Sequence, residues 1–410
     1  MHATAPTSSL DLLDERVLGD PYPVYEAMRL MGPAIRLERH GVWAVPGYDE
    51  VRSILDASDL FRAEGGRALT ELAGTILASN GEQHARLRRV LSRRLAPTAV
   101  ARRQRQIQER ARRLVAEHTV GAGFDAVELA RAMAVGTVME LMGLTESSSV
   151  PVLDGLGLMP FDAFGPENAC GPTGLPAAGA AMLVFLHENV TRGSVRRGSW
   201  TEAIFQAVDA GKIDEDEAVP LGSAYAVVGI DSTILGLAGT ITQLAHDPEQ
   251  WFQLREDPAR AEAAFHEAVR LDAPIQGLGR LVTEPVDLGG IRLEAGEGVW
   301  LLLGSAGRDP RKWGLAADDY NLRRAGADKH LSLGAGPHAC PGSHLALMQA
   351  RALLRALAER CTTLSPASAP VRAQTHVLRG HTAAPISVST AGRRTGARQP
   401  ALTSPPESPR

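Results

Sequence analysis

Cysteine is scarce in this chain: Cys170, Cys340 and Cys361 are all that its 410 residues hold. Three thiols cannot build a disulfide framework, and a reducing cytoplasm is the expected compartment. Aromatic residues make up only 4%, too few for the stacked platforms that bind single-stranded nucleic acid. Neither sign of charge dominates, with 43 basic side chains against 47 acidic ones and a net charge of −4. That near-balance argues against a general nucleic-acid binder. No run of about 18 apolar residues stands out as a membrane span. The richest stretch, Leu175–Leu186, opens on Leu-Pro and is expected to be a core helix. Met1–Leu13 lacks a basic region followed by an apolar one, so no secretory leader is expected. Internal repeats are missing, as is any Gly/Ser- or Pro-rich linker between Ser9 and Thr390. One large domain over residues 9–390 is expected, with residues 391–410, rich in Pro, Ser, Arg and Thr, as a disordered tail.

What is present has the proportions of a soluble globular protein, 44% hydrophobic and 22% charged. Helical patterns dominate. Asp257-Pro258 reads as an N-cap with a first-turn proline, starting a helix that runs to Leu271. Asp247-Pro248 repeats that start signal. From Pro220 to about His246 the pattern is apolar almost all round. As one helix it would be roughly 40 Å long and cross the whole core. Short strands are expected at Ala34–Leu37, Val42–Pro46, Val286–Leu288, Gly298–Leu303 and Ile386–Ser389. The fold class is mostly α with small β-sheets.

The sharpest signal is Leu333-Gly334-Ala335-Gly336-Pro337-His338-Ala339-Cys340-Pro341-Gly342, just before a long helix at Ser343–Cys361. With 41 Gly, 12 His and 3 Cys in the chain, the chance of that five-residue pattern is about 10⁻⁴, far rarer than a lone short motif. Glycines permit tight turns and close approach of backbone to a flat partner. Cys340 precedes a helix N-terminus, whose N–H groups and dipole favour a thiolate. A single thiolate on a Gly-rich loop is how a haem iron is held from one side. No second Cys or His stands at zinc spacing, and the Cys-x-x-Cys-His of c-type attachment is absent. The plainer alternative is a buried structural cysteine. Cys170 and Cys361 lack such a setting and are expected to be inert.

This loop resembles the haem-binding signature of the cytochrome P450 family, with Leu333 where the family usually has Phe. The resemblance implies a single-domain cytochrome P450-like fold, haem b as cofactor and O2 as cosubstrate. Cys340 becomes the axial iron ligand. Glu267 and Arg270 match the family's Glu-x-x-Arg helix, and Arg324 its third member. His84, Arg88, Arg280 and His338 match the positions that grip the haem propionates; guanidinium and imidazole suit carboxylates. In Val228-Gly229-Ile230-Asp231-Ser232-Thr233 an acid and a hydroxyl stand in an apolar helix, where they are expensive without work or partners. The segment resembles the family's oxygen-activation motif. Asp231 and Ser232 take the catalytic places, Ser232 where Thr is usual and Val228 where Ala or Gly is usual.

Arginines crowd positions 86, 88, 89, 93, 94, 102, 103 and 105. No flavin or nicotinamide signature is present, so the resemblance implies electrons from a ferredoxin and its reductase, docked on that basic segment. Within the family the pattern is most similar to bacterial enzymes that oxidise para-substituted benzoic acids. It lies in Phe161–Asn168, Leu303–Ala306 and Leu378–Gly380. The expected carboxylate grip is missing: Ser223, Ala224 and Val227 stand at its positions, with Leu278 and Gly279 in place of aromatics. A substrate different from those benzoates and with more room is expected, a small to medium aromatic or natural-product compound that is hydroxylated or O-demethylated. Oxidative coupling on the same haem and a non-catalytic haem ligand-binding protein stay open as alternatives. The remaining expectations are a cytoplasmic monomer that binds neither nucleic acid nor membrane.

Overall fold

Aspartate followed by proline starts two successive helices. The Asp247 carboxylate accepts from the N–H groups of Glu249 and Gln250, both at 3.1 Å, and the helix runs Pro248–Glu256. Asp257 accepts from Ala259 N–H at 3.1 Å, and a 3-10 turn at Pro258–Arg260 leads directly into Ala261–Leu271. The computed structural model describes residues 6–63, 75–144, 184–373, 375 and 377–390. Phe161–Asn168, Cys170, most of Leu175–Leu186 and residues 391–410 lie outside the described residues.

The helices make the core. Ala126–Met142 packs along Asp231–His246, and Gln104–His118 packs along Ser343–Arg360. A six-stranded sheet flanks them, in the order Thr7–Ser8, Ile35–Leu37, Val42–Val45, Gly298–Leu302, Gly277–Val282, Phe61–Arg62. Val42–Val45 runs parallel to Gly298–Leu302, with Ala44 opposite Trp300. Gly277–Val282 runs antiparallel to it, with Arg280 opposite Val299. Val286–Leu288 pairs with Ile291–Leu293. Pro385–Thr390 pairs with both Cys361–Pro366 and Gly123–Asp125. The expected strands are all found, within a residue or so of their expected ends.

The long apolar pattern is not one helix. It begins earlier, at Glu215, under a capping box made by Asp214 and Glu217, and it breaks into Glu215–Val227 and Asp231–His246. At the break a Cβ on Gly229 would stand 2.4 Å from the Tyr225 carbonyl oxygen, so only glycine fits. Ser232 Oγ donates to the Val228 carbonyl at 3.0 Å, a local bond that competes with the helical ladder. The combined span Glu215–His246 is long and apolar enough to cross a membrane, but 78% of its apolar window is buried inside the protein. It is the core helix of the fold, taken in two halves.

Beneath the core, Glu267 and Arg270 are both fully buried. The Glu267 carboxylate binds Arg270 Nε at 2.7 Å and Nη2 at 2.9 Å, and Arg324 Nε at 2.7 Å. Arg270 spends its remaining donors on the carbonyls of Gly307 (2.6 Å), Ala317 (2.7 Å) and Asp319 (3.0 Å). One carboxylate shared by two guanidiniums thus ties the helix to the irregular segment before the cysteine loop, the geometry expected for these three residues.

Candidate active site

The cysteine loop is shaped by its glycines. Gly334 and Gly336 adopt φ of 70° and 63°, a region other residues avoid. A Cβ on Gly336 would meet the Leu55 carbonyl oxygen at 2.3 Å. Cys340 N–H donates to the Leu333 carbonyl at 2.7 Å and closes the loop. The helix Ser343–Arg360 follows at once.

Cys340 opens onto a cavity of about 1720 Å³, mouth included. Leu333, Gly334, Cys340 and Gly342 wall one side; Val228, Gly229, Ser232 and Thr233 wall another at the helix break. Leu278 and Gly279 contribute from the sheet and Ile275 from just before its strand. The lining is overwhelmingly apolar.

Against this apolar lining, four nitrogen-bearing side chains converge. His84 and Arg88 come from the helix Gly81–Leu95, Arg280 from the strand Gly277–Val282 and His338 from the cysteine loop, and all four line the cavity. The rings of His84 and His338 lie 4.0 Å apart. Arg88 donates to the Ala339 carbonyl. Arg280 donates only to the Gly279 carbonyl, at 2.7 Å. Among the described residues no carboxylate pairs with either arginine. Burial pulls Arg280 down to about 10. Burial also lowers Arg88 and His84, and with the charges of His84, Arg280 and Arg88 it takes His338 down to about 3. A partly buried cluster of donors, two of the four buried, that meets no acid among the described residues is a site for a carboxylate-bearing guest. A haem would fit these residues: its propionates would supply the acids and its ring the flat apolar body, with Cys340 placed to ligate from one side.

The state of Cys340 departs from the expectation drawn from the helix end. Burial pushes its thiol above the ordinary value, while the N–H groups of Gly342 and Ser343 and the charge of Arg88 pull it down and do not win. Cys340 is half-buried and lines the cavity. A helix terminus alone does not ionise this cysteine; coordination to a metal cation does.

Other expected site residues separate. Ser232 lines the cavity, but Asp231, 6% exposed and first in its half-helix, does not. Ala224 lines it, whereas Ser223 and Val227 are buried elsewhere. The helical period turns those two away from the cavity wall. Within the arginine cluster, Arg86 forms a two-pronged pair with Glu217, both bonds 2.6 Å, and Arg105 pairs with Glu109. Arg88 turns inward. Arg86, Arg89, Arg93, Arg94 and Lys212 share a separate groove of about 1210 Å³. Thr233, the last residue of the segment that resembles the oxygen-activation motif, lines the cavity beside Ser232. Gln349 had no sequence signal strong enough to name it. Gln349 is 1% exposed, and its side-chain oxygen has no hydrogen-bond partner; a lone amide on the apolar face of a helix was its only mark.

Comparison with known proteins agrees with this geometry. The family model described as cytochrome P450 matches residues 208–382. The chain is 31% identical over 399 residues to cytochrome P450 CYP199A2 of Rhodopseudomonas palustris, covering 95% of this chain and 96% of that one. It is 29% identical to cytochrome P450 monooxygenase PikC of Streptomyces venezuelae, covering 96% and 98%. In fold it is similar to the structure of cytochrome P450 CYP109Q5 from Chondromyces apiculatus, with a TM-score of 0.79 over 93% of this chain and 98% of that one, at 21% identity.

Proposed function

The chain belongs to the bacterial cytochrome P450 family and is a P450 monooxygenase with haem b as cofactor and O2 as cosubstrate, and from that premise we propose how it works. It is a cytoplasmic monomer over residues 9–390 that hydroxylates or O-demethylates a neutral aromatic or natural-product substrate. Its electrons come from a ferredoxin and ferredoxin reductase. The observation that carries this reading is the cavity with Cys340 on one wall and four donors without acids on another. When bound, haem supplies activation of dioxygen at its iron.

The chain's own residues divide the remaining work. Cys340 would hold the iron, and His84, Arg88, Arg280 and His338 would hold the propionates and fix the plane of the ring. Ser232 Oγ, bonded to the Val228 carbonyl at the helix break, can give that bond up and present a proton to the cavity. Asp231, one residue back and outside the lining, is the acid that resupplies it through water. Val228 lines the cavity and would narrow the space left for substrate beside a bound haem. The apolar wall of Ala224, Ile275 and Leu278 excludes water from the substrate and offers no partner to a carboxylate.

The test is ligand binding followed by turnover. Para-substituted benzoates should bind weakly, and larger neutral aromatic or polycyclic compounds should displace the iron-bound water and shift the haem spectrum. With ferredoxin and reductase present, labelled O2 should enter the hydroxylated product or, on O-demethylation, the formaldehyde released. Tight benzoate binding contradicts the substrate reading. Turnover that leaves the label in neither the product nor released formaldehyde turns the assignment to oxidative coupling, the second reading, which Ser232 in place of the usual threonine favours. Absence of any turnover leaves a haem ligand-binding protein.

A further inference from the structure

Behind the cysteine loop lies a pair of buried histidines that the proposed chemistry leaves unused. His330 Nε2 stands 3.1 Å from His266 Nδ1, and the two residues are 4% and 8% exposed. The other nitrogen of His330, Nδ1, lies 3.1 Å from the backbone N of Ser332. A backbone N–H can only donate, so Nδ1 is bare and the ring proton sits on Nε2. That Nε2–H must then donate to His266 Nδ1, which places the His266 proton on its own Nε2. His266 Nε2 faces Glu262 Oε1 at 3.9 Å, and Glu262 also pairs with Arg351 at 3.1 Å. Burial takes His330 down to about 3 and lowers His266. Both rings therefore stay neutral near pH 7, and the direction of every bond in the chain is set.

The chain of bonds leads to the sulfur. His266 lies on the same helix, Ala261–Leu271, as Glu267 and Arg270. Ser332 Oγ donates to the Val269 carbonyl of that helix at 2.5 Å. Leu333, next after Ser332, accepts the Cys340 N–H at 2.7 Å. The network around Glu267 holds the helix rigid, the histidine pair ties the start of the loop to it, and the loop carries Cys340. An apolar pair of similar size would fill the same space, but the N–H of Ser332 would lose its partner.

We propose that His266 and His330 are positioning residues for the iron ligand: an ordered strut of two neutral imidazoles that fixes the cysteine loop against the Glu-x-x-Arg helix and so sets where the Cys340 sulfur stands. The proposal rests on the reading that Cys340 holds the iron. The strut acts through the loop and touches neither substrate nor cofactor.

The test uses the holoprotein and the variants His330→Asn, His330→Gln and His266→Phe. Asparagine can still accept the Ser332 N–H in a local turn but is too short to reach His266. Glutamine is long enough to reach. In His330→Asn and His266→Phe, transfer of haem to an excess of a scavenging apo-globin should become about 10-fold faster, as for other residues that orient metal ligands. Part of the red-shifted carbon-monoxide band of the ferrous protein should be lost. The double variant should be no worse than either single one, because both remove one strut, and His330→Gln should recover part of the loss. Wild-type haem transfer and spectrum in either single variant, or additive losses in the double, overturn the proposal. Should the variants fail to fold, long-range proton–nitrogen NMR of the wild-type imidazoles decides it: both rings must carry their proton on Nε2, and a proton on Nδ1 of His330 refutes the strut. The ligand reading fails separately, on a Cys340→Ser variant that keeps the band.

Discussion

Arg280→Met has effects of opposite sign on the two states of this protein. Arg280 is 8% exposed, and among the described residues its guanidinium donates to one carbonyl and meets no acid. Burial alone lowers it from 12.5 to about 10. At 1.36 kcal/mol per unit, holding that charge costs the haem-free fold about 3 kcal/mol at neutral pH. Methionine has similar length and no charge, so the haem-free chain should become more stable by about that amount. In the holoprotein a propionate offsets the same charge, and the substitution removes a charge-assisted bond. Linkage then requires haem affinity to weaken by at least the relieved cost, on the order of 100-fold. Urea unfolding of the haem-free and haem-bound proteins, with haem titration into each, reads both numbers. A haem-free Arg280→Met chain less stable than wild type, or one with unchanged haem affinity, refutes the reasoning.

Glu267→Gln should destabilise the holoprotein by about 3–5 kcal/mol, because it leaves two guanidiniums, one fully buried, without their shared carboxylate; the shift of the urea midpoint measures it, and less than about 1 kcal/mol would contradict the network. Asp231→Asn should slow product formation roughly 100-fold, since an amide relays protons poorly, and Ser232→Ala should consume reductant while releasing peroxide in place of product; unchanged coupling in both removes these residues from the relay. Charge reversal at Arg89 and Arg93, which carry no ion pair among the described residues, should raise the ferredoxin concentration needed for half-maximal rate roughly tenfold at low salt and less at high salt. A salt-independent effect would place the docking surface elsewhere.

The parts of this account that could be read from sequence are those written in local chemistry. Asp247-Pro248 and Asp257-Pro258 start helices because the cap and the missing N–H act within one turn. The cysteine loop was legible because glycine, histidine and cysteine at that spacing are rare together. The strand Gly277–Val282 was not, since its glycines interrupt the alternation that marks strands. The break at Val228–Ile230 was hidden for a different reason: apolar periodicity reports which face is buried and says nothing of a backbone that changes course at Gly229. The same break separates Asp231 from the cavity wall while Ser232 stays on it. His266 and His330, separated by 64 positions, meet only through packing of the helix against the loop, and no local pattern announces that.

The central claim is that Cys340 holds the haem iron through its sulfur. The most direct measurement is the carbon-monoxide difference spectrum of the reduced Cys340→Ser protein, compared with wild type. The account predicts a red-shifted thiolate band in the wild type and its complete loss in the variant. Retention of that band by Cys340→Ser would contradict it.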